Sequence, residues 1–330
     1  MKVGWAIELA GTGKYTPERV VTNEEYAQRL DTSDEWIMQR TGIRERRFAA
    51  PEESTLSMAT AAARAALTNA GVTPADLDLI VCATVTPEHP LPATGNELQH
   101  ALGCRTIPSF DVAAACSGFV YSLIMAGQFV HTGVAETVLI VGAECLTRVI
   151  DMEERSSCIL FGDGSGAAVI RRSREPSREL VAFRMGSDGG GAKQIWIPAG
   201  GAREPASVRT VNERLHYMRL RGREVFKFAV TKMRDVVRET LDDAGISVDE
   251  LALLVPHQSN LRIIESACQR LRIPLDKVVI NIDRYGNTSS ASIPIALHEA
   301  TANGRIRPGD LVMLVAFGAG LTWAGALLRY

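Results

Sequence analysis

The stretch Asp111–Val120, DVAAACSGFV, places a lone cysteine behind three alanines and ahead of small residues and an apolar run. A thiol in that position has two readings. It is filler in a tight core, since cysteine is among the most buried residue types, or it is a nucleophile on a strand-to-helix turn. Residues 111–115 read as the end of a strand, and SGFVYSLIMAGQFVHTG (117–133) has helical periodicity and stops at Gly133. Cys116 is then expected at a helix N-terminus, where unpaired N–H groups and the helix dipole favour the thiolate and lower the thiol pKa. The alanines beside it leave room for a substrate.

Two further segments bear on that choice. LLVPHQSNLRII (253–264) places His257 just past a buried strand, where α/β proteins build sites. NIDRYGNTSSASIP (281–294) carries the turn dipeptide Gly286-Asn287 before a small-residue run that mirrors the Cys116 loop. Taken singly, His257 reads as a structural histidine and Asn287 as a turn or cap residue. Brought together, a Cys, a His and an Asn make a nucleophilic site.

The elements that must position them alternate along the chain. LDLIVCATV (77–85), TVLIVGAE (137–144) and GAAVIRR (166–172) read as buried strands. STLSMATAAARAALTNAG (54–71) reads as a helix capped by Ser54 or Thr55 and stopped by Gly71. The class is α/β. A repeat organises it: ARAALTNAGVTPADLDLIV (63–81) aligns without gaps with VRETLDDAGISVDELALLV (237–255), and TVLIVGAE with DLVMLVAFG (310–318) in the same register. Asp111 and Asp283 take comparable places before the two small-residue loops. The reading is two similar halves, 1–172 and 223–330, packed sheet against sheet with pseudo-twofold symmetry. Between them, 173–222 is polar at first, then Gly-, Pro- and Ala-rich. It is expected as an insertion over the surface near a substrate entrance; a surface loop without fixed structure fits it equally.

Other chemistries lack their patterns. The GTGK tetrapeptide (11–14) resembles a phosphate loop, but Glu8 stands where the first glycine of that loop is needed. FGDGSGA (161–167) reads as a tight turn between strands. The six cysteines form no C-x-x-C pair, so zinc and dithiol chemistry lack their spacing, and a reducing cytoplasm fits them. A net charge of −2 argues against nucleic-acid binding. No 18-residue apolar run and no signal-peptide pattern is present, so neither membrane insertion nor export is expected.

The motifs DVAAACSGF, VPHQSNLRII, DRYGNTSSASIP, DEWIMQRTGIRERR (34–47) and FGAGLTW (317–323), in order along the whole chain, closely resemble the β-ketoacyl-acyl-carrier-protein synthase III family of thiolase-fold condensing enzymes. The resemblance implies a homodimer with a thiolase-like, five-layered αβαβα core made of two duplicated halves. It implies decarboxylative condensation of an acyl-CoA primer with malonyl-acyl carrier protein, starting fatty-acid synthesis. Cys116 is then the nucleophile. His257 and Asn287 polarise the malonyl thioester and stabilise the enolate formed as CO₂ leaves. The main-chain N–H groups of Cys116 and Ala319 hold the oxyanion, although many relatives carry Gly at the position of Ala319. Asn rather than a second His fits the relatives that take a CoA primer. No strong general base is needed, because loss of CO₂ replaces proton abstraction, and no metal or redox cofactor is implied, since the sequence offers a motif for neither.

The same resemblance assigns Trp36, Arg40 and Arg155 to the CoA adenine end, and Asn260 and Phe317 to the substrate tunnel. Lys227, Arg262 and Arg270 form a basic patch for the acidic carrier protein. Leu91, in TPEHPLPATG (86–95), falls where the family inserts a residue from the partner subunit to limit primer length. Some acetyl-specific relatives have Phe there, so Leu91 points to branched or longer primers. Three rivals stand beside this reading: a related acyltransferase or condensing enzyme of secondary metabolism, a Cys-His-Asn hydrolase, and an acyl- or CoA-binding module without catalysis. The intact Asn287 loop favours condensation, the alanines around Cys116 disfavour hydrolysis, and the retained nucleophile disfavours a bare binding module.

Overall fold

The run Leu79–Ala83 has no polar alternation and is buried at every residue, as a strand covered on both faces must be. In a computed structural model of the chain, which describes residues 1–175 and 177–330, this strand pairs in parallel with Ser109–Val112 and with Thr137–Glu144. Gly164–Arg172 and Ile7–Tyr15 add antiparallel strands to complete a five-stranded sheet. The second five-stranded sheet runs Lys2–Trp5, Glu179–Ser187, Thr322–Arg329, Leu311–Gly318, Leu253–Pro256, and only its last two strands are parallel.

The repeat read from the sequence is the repeat of the fold. Leu253–Pro256 begins 174 residues after Leu79–Ala83, and Leu311–Gly318 begins 174 residues after Thr137–Glu144. The 3-10 turns Ala115–Ser117 and Ser289–Ala291 obey the same offset, and so do the starts of the helices that follow, Gly118–Thr132 and Ser292–Ala302. Asp111 and Asp283 do not correspond. The register pairs Asp111 with Tyr285, and Asp283 lies inside the short helix Ile282–Tyr285.

The sheets do not pack face to face. Gly118–Thr132 and Ser292–Ala302 lie between them, and Phe119, Leu123, Ile293 and Leu297 share one core with Val81 and Ile140 of the first sheet and Val255 and Leu314 of the second. Gly118–Thr132 is apolar on almost every side, which suits a helix with a sheet on each flank. Thr55–Ala70 and Thr94–Leu102 cover the outer face of the first sheet, and Gly222–Ala244 and Leu261–Leu271 the outer face of the second. The layers are therefore αβαβα. Ser54 caps Thr55–Ala70 through a capping box, and Gly71 ends it at φ 65°.

The segment 173–222 is not wholly an insertion. Its Glu179–Ser187 is a strand inside the second sheet, paired on both edges, so the second half begins within that segment. Lys2–Trp5 also crosses from the first half to the edge of the second sheet. The GTGK glycines belong to strand Ile7–Tyr15, where a Cβ on Gly13 would meet Ala62 O at 2.3 Å. They allow a helix to lie close on the sheet and hold no phosphate loop. Among the described residues no helix is long and apolar enough to cross a membrane.

Candidate active site

The carboxyl ends of the parallel strands and the first turns of the two central helices meet at one cavity of ≈ 550 Å³. Cys116, His257 and Asn287 all line it, with Phe317, Ala319 and Asn260. Chain topology does this: Cys116 and the Asn287 loop precede equivalent helices, and His257 follows Leu253–Pro256.

Cys116 stands on a strained turn. Ala115 has φ 48°, and its counterpart Ser289 has φ 49°, a conformation that costs energy for any residue with a Cβ. A Cβ on Gly318 would lie 2.7 Å from Cys116 N, so only glycine lets that strand end against the nucleophile's backbone. The hydroxyl of Thr322 ties the neighbourhood together, 3.1 Å from Ala114 O and 3.0 Å from Ala319 O. The thiol departs from the sequence expectation. Burial pushes its pKa up to about 12, although the Ser289 hydroxyl and the thiol's own backbone N–H pull the other way. A helix N-terminus favours a thiolate, but removing the sulfur from water costs more.

His257 is 1 % exposed, and burial lowers its pKa to about 3. Its Nδ1 lies 2.6 Å from Ser292 Oγ. That hydroxyl accepts the Gln258 N–H at 3.4 Å and has its own proton to give to Nδ1. The ring proton is then on Nε2, the nitrogen left for the cavity. Phe317 meets the ring edge to face at 5.7 Å. Asn287 is fixed in the same way. Its Oδ1 accepts the Ser289 N–H at 2.9 Å, leaving the amide NH₂ as a donor toward the cavity, and its backbone is anchored on Leu160 O at 2.8 Å. Neither Ser292 nor Gln258 stood out in the sequence. Gln258, wholly enclosed, bonds Pro256 O, Val279 O and the Asn281 N–H.

The buried neutral ring makes stability pH-dependent. The folded pKa of His257, about 3, lies below the unfolded value, so the unfolded chain binds more protons between the two values. Stability is therefore lost as pH falls below about 6.5. From pH 6.5 to 5 this histidine alone removes about 2 kcal/mol. Urea unfolding of wild type and His257→Asn at both pH values checks it: wild type loses the extra amount, and equal losses in the two proteins refute the neutral ring.

At the mouth, two guanidiniums lie close to the Trp36 ring, Arg40 at 5.4 Å and Arg155 at 4.9 Å from its centroid. Asn260 caps Leu261–Leu271 through the Arg262 N–H (2.9 Å) and bonds Arg40 O (3.0 Å), so its amide joins two walls of the cavity. Arg262 lies over the Phe226 ring at 5.8 Å, and Lys227 is exposed on the neighbouring helix. Arg270 sits at the other end of Leu261–Leu271, about 12 Å along the axis from Arg262. Leu91 is not in this cavity. It is 86 % exposed, the highest among the large apolar side chains described. Val85, Leu146 and Ile159 line the inner wall instead, and Ile195, Met218 and Leu220 of the 173–222 segment also border the cavity. No motif in the sequence marked these apolar residues.

Comparisons with known proteins bear on the family and the fold. Residues 110–189 match the profile of 3-oxoacyl-(acyl-carrier-protein) synthase III, and 241–330 match its C-terminal profile. The chain is 49 % identical over 324 residues to a protein of Symbiobacterium thermophilum named beta-ketoacyl-(acyl-carrier-protein) synthase III, covering 98 % of each. The crystal structure of 3-oxoacyl-(acyl-carrier-protein) synthase III from Aquifex aeolicus superposes with a TM-score of 0.91 at 45 % identity, over 98 % of this chain and 100 % of that one. The priming β-ketosynthase of the R1128 polyketide pathway superposes with a TM-score of 0.89 at 38 % identity, over 98 % of this chain and 96 % of the other.

Proposed function

Because the chain belongs to the 3-oxoacyl-(acyl-carrier-protein) synthase III family, we propose that its cavity performs both halves of the initiating condensation of fatty-acid synthesis, with Cys116, His257 and Asn287 as the groups that touch the reacting atoms. The protein is an acyltransferase of the condensing type. The observation that carries the assignment is the meeting of one thiol and two oriented N–H donors in a single cavity.

The acyl-CoA enters past Trp36, Arg40 and Arg155, with the Trp36 ring for the adenine and the two guanidiniums beside it for the phosphates. Asn260 and Phe317 border the pantetheine path. The Cys116 sulfur attacks the thioester carbonyl, the C–S bond to CoA breaks, and acyl-Cys116 remains. The N–H groups of Cys116 and Ala319 hold the oxyanion; a backbone donor survives the change from Gly to Ala at 319. Malonyl-acyl carrier protein follows, with Lys227 and Arg262 at the mouth and Arg270 farther along the helix facing its acidic surface. His257 Nε2–H and the Asn287 amide donate to the thioester oxygen. As the C–C bond to CO₂ breaks, its electron pair forms an enolate whose charge those donors stabilise. The enolate carbon attacks acyl-Cys116 and expels the cysteine sulfur. A histidine held neutral suits this step, which needs a donor and no base. The substrates are the only groups this reaction requires beyond the chain.

The family supports a homodimer, with the exposed Leu91 reaching the partner subunit's primer pocket. The six free cysteines suit a cytoplasmic enzyme. The likeness to a priming ketosynthase of a polyketide pathway keeps one second reading, the same chemistry on a specialised primer.

Incubation with acyl-CoA esters and malonyl-acyl carrier protein tests the reading by intact mass. The expected result is one CO₂, one CoA and one 3-ketoacyl carrier protein per turnover; thioester hydrolysis alone refutes it. Across acetyl-, isobutyryl- and octanoyl-CoA, wild type is expected to accept the longer or branched primers. Leu91→Phe is expected to narrow turnover toward acetyl, and an unchanged profile removes Leu91 from the pocket.

A further inference from the structure

Behind the cavity lies a carboxyl group that the reaction described above does not use. Glu144 ends strand Thr137–Glu144 and is 0 % exposed. Among the described residues no Lys or Arg pairs with it. Polar groups of two other segments surround it instead. Val85 N–H (3.1 Å) and Thr86 Oγ1 (2.7 Å) lie on Oε2. Ser289 Oγ (3.1 Å) and Ser290 Oγ (2.9 Å) lie on Oε1.

The protons available to these groups fix its state. Ser290 Oγ is 2.8 Å from Ala83 O as well as 2.9 Å from Glu144 Oε1. A carbonyl oxygen and a carboxylate oxygen only accept, and a hydroxyl has one proton to give. Were Glu144 ionised, one of these two short contacts would set lone pairs against each other with no proton between them. A proton on Oε1 removes the conflict: the acid donates to Ser290 Oγ, and Ser290 donates to Ala83 O. Thr86 Oγ1 accepts the Cys145 N–H at 2.9 Å, so its own proton goes to Oε2, which also accepts the Val85 N–H. Oε2 is thus the carbonyl oxygen and Oε1 the hydroxyl of a carboxylic acid. Burial acts in the same direction. An ionised carboxylate buried without a cation is costly, and burial raises the pKa of Glu144. Of the titratable groups that interact with it, the thiols of Cys82 and Cys116 have their pKa values pushed up by burial and are neutral at pH 7.

We propose that Glu144 stands as a neutral carboxylic acid and in that form positions the Asn287 loop for enolate formation. This rests on the donor role given to Asn287 above. The Ser289 N–H fixes Asn287 Oδ1 at 2.9 Å. Ser289 itself has φ 49°, a conformation that persists only where its surroundings hold it. Glu144 holds it from the first half of the chain, through the hydroxyls of Ser289 and Ser290. The close approach is built in: a Cβ on Gly142 would lie 2.3 Å from Ser290 O, so the loop rests directly on the strand that carries Glu144. The neutral state also suits the chemistry. Ser289 lines the cavity, and an ionised carboxylate directly behind it would oppose the negative charge that forms on the enolate oxygen. Glu144 touches no substrate and is a positioning residue.

Infrared difference spectra of protein made with and without carboxyl-¹³C glutamate read the state directly. At pH 8, where exposed carboxyl groups are ionised, wild type is expected to show a glutamic acid C=O band that shifts with the label and is missing from Glu144→Gln. The label separates it from Asp163, a buried carboxyl whose pKa is also raised. Absence of a labelled acid band from wild type overturns the proposal, and this arm needs no variant to fold. Positioning is read from the half-reactions. Glutamine offers the same pattern as the acid, one oxygen to accept and one N–H to give, so Glu144→Gln is expected to release CO₂ from malonyl-acyl carrier protein within a few-fold of wild type. Glu144→Ala removes both groups and is expected to slow CO₂ release about tenfold or more, while acyl-Cys116 still forms within a few-fold. A loss in Glu144→Gln as large as that in Glu144→Ala, or equal losses of the two half-reactions in Glu144→Ala, overturns the proposal. Failure of wild type to release any CO₂ overturns the donor role of Asn287 instead, so the two failures are distinct.

Discussion

Cys116→Ala forms no acyl adduct with any acyl-CoA, and its condensation rate falls by about 10⁴-fold or more, the loss seen when a covalent nucleophile is removed. The protein folds normally, because the sulfur faces the cavity and packs no core. The variant still decarboxylates malonyl-acyl carrier protein, since His257 and Asn287 keep the partners that orient them, Ser292 and the Ser289 N–H. Intact mass gives the first result, and CO₂ release without acyl transfer gives the second. An adduct on the variant would place the acyl group on another residue and refute the assignment. Loss of both half-reactions together would mean that the thiol holds the donors in place.

Asn287→Asp separates the halves in the opposite sense. The aspartate still accepts the Ser289 N–H that Asn287 Oδ1 accepts at 2.9 Å, so the loop is retained. What faces the cavity changes from an NH₂ donor to a carboxylate oxygen. Enolate formation loses one donor and gains a repulsive charge, and decarboxylation falls by about 10² to 10³-fold, the cost of one oxyanion donor. Acyl-Cys116 still forms within a few-fold of the wild-type rate, because Asn287 takes no part in that step. Rapid-quench measurement of each half-reaction reads both effects. Equal losses in both would make Asn287 a structural residue of the turn, the reading it has when taken alone.

Much of this site was legible because the chain repeats. The constant offset between ARAALTNAGVTPADLDLIV and VRETLDDAGISVDELALLV located two equivalent halves, and the small-residue loops before the central helices fell at matching places. His257 was legible from its position past a buried apolar run. The assignment of the three residues to particular steps came from family motifs, since a lone Cys, His or Asn carries no such information. Gln258 and Ser292 were not legible. Their importance lies in which atoms they touch, and a glutamine or serine in a loop has many uses. Segment 173–222 was misjudged because its Gly- and Pro-rich remainder outweighed the buried strand Glu179–Ser187 within it.

Family motifs, and not pattern, singled out the three site side chains; the sequence by itself determined the class of the fold, the duplication, and the helix stops at Gly71 and Gly133. Those properties depend on local pattern: apolar period, capping chemistry and repeated order. Tertiary structure decided the rest. It put the two central helices between the sheets, where Gly118–Thr132, apolar on almost every side, is covered on both flanks. It also reversed the expected state of the thiol. The helix N-terminus that favours a thiolate can be read along the chain, but the burial that outweighs it comes from residues far away in sequence, and desolvation is set by everything packed around a group.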